Sequence, residues 1–469
     1  MSALRPRVAC FSPLPPDSSG ISDYSEELLP HLARHWDLDL FVDGYWPRSD
    51  AARGRRVIDC ARIDPVPLLS DYDAVLYHVG NSPSHDYVYD TLLHWPGLVV
   101  LHELAIHHLV ASRTIGGERR DLYVQEMRVQ HGDQGAERAR RALWGDAPAP
   151  WESDPLRYPL NRRVLGQATG VLAHSRFVAD AVCAIHPTLL VRQLDHHAVP
   201  LPAALAPAAH RAPRSEGPFV FVTAGNLNPT KRVPVILRAL TRLQGRLPFR
   251  YRLVGEIKPD WGAAEFVEEL GLADAVEICG RVDRDELYRQ LLDADVCVCL
   301  RSPTLGETSG IVLRALACGR PLVVTDAGWF AELPDEIAVK VPADRDEERT
   351  LAELLEALAR DPERRRRMGE AALEWASARD LASRAEGYDA FVRAGGLFPK
   401  RWIGRAFHSV TASLRELDHE YAACAGRLTT TRLLELADWR NPPTPRGRPG
   451  PRDPAARRER GRASARRRG

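Results

Sequence analysis

The chain has 469 residues, of which 44% are hydrophobic and 27% are charged, and its formal net charge is +1. This length exceeds the usual reach of one hydrophobic core, so we expect two domains and an extension. No run of about twenty apolar residues and no apolar leader pattern occur, which argues against a membrane span and against secretion and predicts a cytoplasmic protein. The eight cysteines are scattered, which indicates reduced thiols.

In the first half, predicted strands are followed by small or polar residues. Val8–Phe11 predicts a first strand, and the loop Ser12–Ser22 precedes a predicted helix over Tyr24–Leu32. Leu98–Leu101 predicts a further strand, which ends at His102. Ligands of open α/β sheets bind at the carboxyl ends of parallel strands, so these loops and His102 are candidates for a site.

The rest of this half is predicted to be mainly helical. Gly116–Ala147 reads as inserted helices, and Tyr158–Ala181 supplies the last helix, strand and helix of the first domain, with Ser175 as a helix cap. Two Asp-x-Asp patterns, at 37–39 and 293–295, lie at strand starts, so we infer no metal site. Pro and Ala accumulate over Val199–Gly217, which we interpret as the linker between domains 1–205 and 214–379.

A second set of polar residues follows the apolar strand at the start of Phe219–Arg232. Only four of the 64 Lys plus Arg residues are Lys, and Lys231 is one of them, next to Arg232. The pair could neutralise the charge that develops on a departing diphosphate, an electrostatic effect that is often the largest in catalysis. The alternative is a solvated basic pair at a helix start, a position that the helix dipole disfavours.

The segment 295–334 carries the most specific pattern. Val296–Leu300 predicts a strand buried on both faces, and Gly310–Ala317 predicts a helix. The helix start at Thr308, Ser309 and Gly310 would offer free N–H groups to an anion. Glu307 is placed to accept hydrogen bonds from sugar hydroxyls; alternatively it is a helix-start charge worth ~0.3–1 kcal/mol.

From about Gly225 to Pro334 the chain resembles the nucleotide-binding domain of GT-B glycosyltransferases, specifically the retaining family 4, called glycosyl transferases group 1. Members have a phosphate-binding Lys after a Gly-rich loop, a G-x-V turn at the base and two glutamates separated by seven residues, whereas six residues separate Glu307 from Arg314 in this chain. The residues that match these features are Gly225, Lys231, Gly280-Arg281-Val282 and, for the first glutamate only, Glu307.

In the first domain, the resemblance implies that Gly20 borders donor and acceptor and that His102 lies beside the donor sugar. Two positions depart from the family. Asn226 stands where an Arg is common, which leaves Arg232 as a substitute, and Arg314 stands where the second glutamate would hold the ribose. The ribose contact is therefore unassigned.

The resemblance implies two facing Rossmann-like domains, with a helix over 380–395 that returns to the first domain. Beyond it we expect a helical extension over 396–440 and a disordered basic tail over 441–469, which has ten Arg against two acidic residues. The tail offers a weak contact with a membrane surface, where the protein would be peripheral; no nucleic acid is expected.

The expected activity is that of a retaining, metal-independent hexosyltransferase without a cofactor. It would move a sugar from a nucleoside diphosphate sugar to a hydroxyl of a glycan, such as a cell-envelope polysaccharide, a glycolipid or a small molecule. Glu307, His102 and Lys231 are the expected catalytic residues. Two alternatives stay open: another GT-B enzyme, such as a sugar-nucleotide epimerase, and a GT-B protein that binds without turnover.

Overall fold

The structure is a computed structural model and describes residues 5–116, 119–211, 214, 216–257 and 262–395. It has the predicted α/β architecture, with one parallel sheet of seven strands and another of six. The predicted extension over 396–440 and the predicted tail over 441–469 lie outside the described residues.

The first sheet has the strand order β3-β2-β1-β4-β5-β6-β7. Its central strands are buried along most of their length, as expected for a parallel sheet covered on both faces. The strands are β1 (Arg7–Phe11), β2 (Asp37–Val42), β3 (Val57–Asp59), β4 (Ala74–Val79), β5 (Gly97–Leu101), β6 (Ala168–Ala173) and β7 (Val191–Gln193).

The second sheet has the order β10-β9-β8-β11-β12-β13. In both sheets the order reverses beside the first strand, and the crevice at such a reversal is where ligands of doubly wound folds bind. The strands are β8 (Phe219–Ala224), β9 (Phe249–Val254), β10 (Val276–Gly280), β11 (Val296–Cys299), β12 (Leu322–Thr325) and β13 (Ala338–Val341).

Helices cover both faces of each sheet. In the first half they are α1 (Gly20–Leu32), α2 (Asp86–His94), α3 (His107–Thr114), α4 (Arg120–Leu143), α5 (Pro150–Ser153), α6 (Arg162–Gln167), α7 (Arg176–Ile185) and α8 (Ala206–Ala209). In the second half they are α9 (Val233–Thr241), α10 (Ala263–Glu269), α11 (Arg284–Asp293), α12 (Gly310–Ala317), α13 (Gly328–Ala331), α14 (Glu347–Arg360), α15 (Pro362–Ser377) and α16 (Leu381–Ala394).

Two local features bear on the sequence predictions. Ser175 caps α7 as predicted, because its hydroxyl accepts a hydrogen bond from the Val178 N–H at 3.2 Å. The first sheet does not end with the helix that finishes near Ala181, since β7 adds an edge strand after it. This strand has three residues, Val-Arg-Gln, which is too short to show an alternating pattern.

Helix α16 packs on the first sheet although it follows the second in sequence. Tyr388 and Phe391 are buried in the core cluster that contains α1 and the near face of β1. The Tyr388 and Tyr24 hydroxyls lie 2.6 Å apart, and Trp36 Nε1 donates a hydrogen bond to Asp389 at 2.8 Å. The C-terminal helix therefore ties the second domain to the first.

The two domains also touch directly beside the strand ends. The Ala105 N–H, four residues past β5, donates a hydrogen bond to the Leu305 carbonyl at 2.9 Å. Glu332 of the second domain accepts a hydrogen bond from the Arg176 N–H at the start of α7, at 3.0 Å. These contacts fix the carboxyl ends of both sheets on opposite sides of one cleft.

The loops after β8 and β9 approach each other so closely that a glycine is required. Gly255 has a φ of +144°, and a Cβ at this position would lie 2.0 Å from the Gly225 carbonyl oxygen. The contact holds the Gly225 loop at the cleft. Gly20, in contrast, has open space around the position of a Cβ.

We expect Gly255→Ala to lower the free energy of unfolding by about 3 kcal/mol or more, because its methyl group would collide with backbone in a conformation that L residues avoid. Gly20→Ala, the matched control, should change it by less than about 1 kcal/mol. Urea denaturation followed by circular dichroism measures both. Equal effects of the two substitutions would contradict this description of the loop.

Candidate active site

The cleft between the domains has a volume of ≈ 740 Å³ and is lined by loops that follow strands of both sheets. The first domain contributes the loop before α1, the residues after β4 and β5, and the segment around His196. Ten of the eleven predicted site residues line it: Gly20, His102, Gly225, Lys231, Arg281, Val282, Glu307, Thr308, Ser309 and Gly310. The structure thus brings together residues up to 290 positions apart in sequence.

Glu307 lies in the loop between β11 and α12, and both of its carboxylate oxygens are engaged. Oε2 accepts hydrogen bonds from the Thr304 hydroxyl at 2.9 Å and from the Leu305 N–H at 2.7 Å. Oε1 lies 2.6 Å from Nε of Arg301. These contacts fix the carboxylate at the edge of the cleft, with lone pairs left to accept hydrogen bonds from a ligand.

Arg301 is a cation of the site that the sequence analysis did not select. Besides Glu307, it reaches the Lys231 loop, since its Nη1 donates to the Thr230 hydroxyl at 2.9 Å. Its own N–H donates to the Thr325 hydroxyl at 2.8 Å, which fixes the backbone between β11 and β12. Arg301 directly follows the buried strand run that ends at Leu300, so the strand-end criterion applied elsewhere would have found it.

Lys231 ends a short 3-10 turn, Pro229–Lys231, and is 9% exposed. Its Nζ donates a hydrogen bond to the Ala224 carbonyl at the end of β8. Burial, and secondly the nearby Arg301 charge, lower the pKa of this ammonium group to about 7. A Cβ at Gly225 would lie 2.8 Å from Nζ, so the glycine leaves room for the amine.

Arg232 does not take the place that the sequence analysis expected at a diphosphate. It has a left-handed backbone with a φ of +57° between the 3-10 turn and α9, and its guanidinium pairs with Glu347 at the start of α14. The Glu347 side chain is only 2% exposed and requires a cationic partner. Arg232 therefore holds α14 in place, and Arg301 is the arginine beside Lys231.

The start of α12 faces the cleft. Ser309 caps the helix, and its hydroxyl accepts a hydrogen bond from the Val312 N–H at 3.4 Å. Thr308, Ser309 and Gly310 line the cleft together with Lys231. A helix N-terminus and a buried amine on the same wall form an environment that favours an anion.

His102 lies on the opposite wall and belongs to a group of imidazoles around Tyr24. Its Nε2 lies 3.1 Å from Nδ1 of His78, and Tyr24 contacts its ring edge-on at 4.9 Å between centroids. Burial, and secondly the neighbouring His174, hold the pKa of His102 well below its usual value. His102 is therefore a neutral imidazole that can exchange hydrogen bonds with an uncharged ligand.

An ion pair crosses the cleft at Arg314, the residue that departs from the family pattern. Its Nη2 lies 2.7 Å from Oε1 of Glu27 in α1 and 3.9 Å from Asp23. His197 Nε2 contacts the other Glu27 oxygen at 3.0 Å. Burial raises the pKa of Glu27, but His197 and Arg314 outweigh it and the net shift is downward. Glu27 was not found from the sequence because its partner lies in the other domain.

Arg281 makes a second contact between the domains. It follows Gly280, which has a φ of +65°, and its Nη2 donates a hydrogen bond to the Ser18 hydroxyl at 2.7 Å. Val282 lies next to it on the cleft wall. The G-x-V turn thus faces the loop that precedes α1.

Residues 208–375, which contain most of the second domain, match the family model described as Glycosyl transferases group 1. This part of the chain is similar to the glycosyl transferases group 1 family. The match covers the Gly225 loop, Lys231, the G-x-V turn and Glu307, the features on which the sequence analysis based the resemblance.

Curated relatives of the group 1 domain are glycosyltransferases. The chain is 29% identical over 179 residues to the MMP alpha-(1->4)-mannosyltransferase of Mycolicibacterium hassiacum, which is 37% of this chain and 42% of that protein. It is 31% identical over 200 residues to the D-inositol 3-phosphate glycosyltransferase of Paenarthrobacter aurescens, which is 41% of this chain and 45% of that protein. The chain thus spans less than half the length of these relatives.

Solved structures that resemble the whole described fold are GT-B proteins, and this confirms the predicted fold. Sucrose-phosphate synthase from Thermosynechococcus elongatus has a TM-score of 0.57 and 18% identity, over 83% of this chain and 99% of that one. HepE from Anabaena in complex with UDP-glucose has a TM-score of 0.55 and 15% identity, over 82% of this chain and 99% of that one.

Among the described helices, none combines the length and apolar character needed to cross a bilayer. Across the described residues, no cluster of His, Cys, Asp or Glu side chains has a geometry that could hold a metal ion.

We expect anion binding to raise the pKa of Lys231 above about 7, so that the protein takes up a proton when pyrophosphate binds at pH 8. Because the free amine loses its charge as the pH rises, the affinity should fall from pH 7 to pH 9. Calorimetric titrations in two buffers with different ionisation enthalpies measure the proton uptake. The substitution Lys231→Ala should abolish this uptake. Equal uptake by Lys231→Ala would assign the proton to pyrophosphate itself.

We expect Glu27→Ala to lower the free energy of unfolding by about 3 kcal/mol, because it leaves Arg314 buried without its nearest carboxylate. Arg284→Ala removes a half-exposed partner at 3.9 Å from Asp23 and should cost at most about 1 kcal/mol. Combining Glu27→Ala with Arg314→Met should cost less than the sum of the single substitutions. Additive costs in a double-mutant cycle would contradict the pairing.

Proposed function

We propose that this protein is a retaining glycosyltransferase that moves a hexosyl group from a nucleoside diphosphate sugar to a hydroxyl acceptor. The observation that carries the proposal is the wall formed by Lys231, Arg301 and Glu307. It puts a buried amine, a guanidinium and a carboxylate on adjacent strand-end loops of one cleft. A diphosphate needs the first two, and a sugar bonded to it needs the third.

The diphosphate would lie between Lys231 and the start of α12. Lys231 Nζ is held near the Gly225 loop and is short of counter-charge, which an anion would supply. Arg301 adds a second cation, and the N–H groups at Gly310 add the helix dipole. These three groups would stabilise the charge that grows on the departing diphosphate, so the reaction needs no metal ion for that purpose.

The transferred sugar would lie between Glu307 and the opposite wall. Glu307 would accept hydrogen bonds from its hydroxyls, and neutral His102 would exchange hydrogen bonds with it across the cleft. The bond from the anomeric carbon to the diphosphate breaks, and a bond to the acceptor oxygen forms on the same face. The acceptor proton passes to the leaving phosphate oxygen, so atoms and charge balance.

The names of the similar proteins agree with this reaction class. Two curated relatives are a mannosyltransferase and an inositol phosphate glycosyltransferase, and HepE was solved with UDP and with UDP-glucose. The acceptor would reach the sugar from the first-domain side, where Gly20 and Asn81 line the cleft. A nucleotide sugar as donor and a hydroxyl compound as acceptor are the proposed partners.

One observation favours a second candidate, a protein that binds a ligand without turnover. The Arg314–Glu27 ion pair spans the cleft at the end where the family resemblance places the ribose, and Asn226 lines the same region. If this pair excludes a nucleoside, no nucleoside diphosphate will bind.

An epimerase would instead bind the donor and return an altered sugar nucleotide, which product analysis detects.

We expect one of UDP-, GDP-, ADP- or dTDP-hexose to stabilise the protein in the presence of a chelator, by about 2.7 kcal/mol at 100 times its Kd. That donor should then be consumed, by transfer or by slow hydrolysis. Thermal unfolding measures the first effect, and chromatography of the nucleotide product measures the second. Binding of no donor would overturn the proposal and favour the protein without turnover.

We expect Lys231→Ala to lower turnover of that donor by about 10² or more, because a positioned charge on the leaving group is lost. Lys340→Ala is the matched control, since Lys340 lies on β13, pairs with Asp335 and is outside the cleft. Its turnover should equal that of the unsubstituted protein. Full turnover by Lys231→Ala would contradict the assignment.

A further inference from the structure

Glu103 is a carboxyl group of the cleft that the proposed reaction does not yet use. It follows His102 at the end of β5 and lines the cleft beside Asn81 and Glu307. The residue as a whole keeps some exposure, but its Oε2 atom is buried and has no hydrogen-bond partner among the described residues. Buried polar atoms without partners are rare in folded proteins and call for an explanation.

The position of Glu103 is fixed by the contact between the domains. Leu104 and Ala105 pack against the loop that carries Glu307, because the Ala105 N–H donates to the Leu305 carbonyl at 2.9 Å. Gly306 lies so close that a Cβ there would be 2.7 Å from the Leu104 Cβ. Glu103 and Glu307 therefore belong to two backbone segments that touch across the cleft.

The two carboxyl groups have opposite environments. Glu307 has a cation within 2.6 Å and two hydrogen-bond donors. Among the described residues, Glu103 has the Asn81 amide as its hydrogen-bond partner, and this amide also contacts His108 at 2.9 Å. The charged groups that face it are Glu307 and Arg301 of the second domain, and the neutral His102 precedes it in the chain.

The surroundings of Glu103 favour its protonated form. Burial, and secondly the Glu307 charge, raise the pKa of Glu103 to about 8, and Arg301 and Asn81 offset only part of the rise. A carboxyl group that keeps its proton can donate a hydrogen bond, which a carboxylate cannot do. Glu307 accepts hydrogen bonds, and Glu103 carries a proton that it can donate.

We propose that Glu103 acts as a protonated carboxylic acid whose Oε2–H donates a hydrogen bond to a hydroxyl oxygen of the substrate. The identity of the substrate, a sugar bound between Glu103 and Glu307, rests on the proposed function. The protonation of Glu103 does not depend on that function. The hydroxyl belongs either to the transferred sugar or to the acceptor. No covalent bond to Glu103 forms, and the proton stays on its oxygen throughout.

Infrared difference spectra test the protonation without any substrate. The spectrum of the unsubstituted protein minus that of Glu103→Gln should contain the C=O band of a protonated carboxylic acid at pH 6.5. The band should disappear as the pH rises through about 8. Absence of the band at pH 6.5 would overturn the proposal even if transfer is observed.

Two substitutions test the hydrogen bond once a donor is consumed. Glu103→Gln keeps the shape and a donor, so turnover should stay within about threefold, whereas Glu103→Ala should lose about tenfold, the value of one hydrogen bond. Glu126→Gln is the control, because Glu126 lies on α4 and pairs with Arg163 of α6. Turnover of this variant should equal that of the unsubstituted protein. Equal losses for Glu103→Gln and Glu103→Ala would overturn the proposal, because an ionised base would then be required.

The pH profile and the kinetic constants identify the hydroxyl. Lys231 loses its charge in both proteins as the pH rises, so the loss of turnover above a pH of about 8 should be larger for the unsubstituted protein than for Glu103→Gln. If the sugar carries the hydroxyl, Glu103→Ala raises the KM of the donor and slows its hydrolysis without acceptor. If the acceptor carries it, only the KM of the acceptor rises. No change in either KM would contradict the contact. If the unsubstituted protein consumes no donor, the proposed function fails and the infrared result stands by itself.

Discussion

The hydrogen bond between the Ala105 N–H and the Leu305 carbonyl is the constraint on which the site depends. It joins the segment after β5 to the loop after β11, so it sets the distance between the walls of the cleft. His102 and Glu103 lie on one side of it, and Glu307 lies on the other. Helix α16 and the Glu332 contact with α7 support the same arrangement from further away. A site made of residues from both domains depends on these contacts together.

The charges of the cleft are distributed unevenly between its walls. The second domain contributes Lys231, Arg301 and Arg281, while the first contributes neutral imidazoles around Tyr24. Among the described residues that line the cleft, the one strong ion pair across it joins Arg314 to Glu27. An anionic group is therefore expected on the second-domain wall and an uncharged polar group near the first. This division matches a molecule with a diphosphate at one end and a sugar at the other.

The sequence predicted which loops form the site better than it predicted which side chains point into it. Lys231 and Glu307 both follow buried strands, and the continuous apolar runs of those strands located them. Arg232 follows the same strand as Lys231, but its left-handed backbone and the buried Glu347 direct its side chain to α14. Such a partner lies more than a hundred residues away and leaves no local pattern.

Contacts between the domains were the part that sequence patterns could not supply. Glu27 reads as an ordinary helix residue until α12 places Arg314 beside it. The buried oxygen of Glu103 belongs to the residue just before Leu104, which packs against Gly306 of the other domain. The short strand β7 was missed for a different reason, since three residues carry too little periodicity. For Glu27 and Glu103 the deciding interaction is tertiary, and it concerns the geometry of the site more than the class of the fold.

The most direct test of the account is a crystal structure of the protein with the nucleoside diphosphate hexose that binds it. We expect the diphosphate to lie within hydrogen-bonding distance of Lys231 Nζ and the N–H groups at the start of α12. The sugar should lie between Glu307 and the His102–Glu103 segment. A donor bound outside this cleft, or one with its sugar directed away from Glu307, would contradict the central claim.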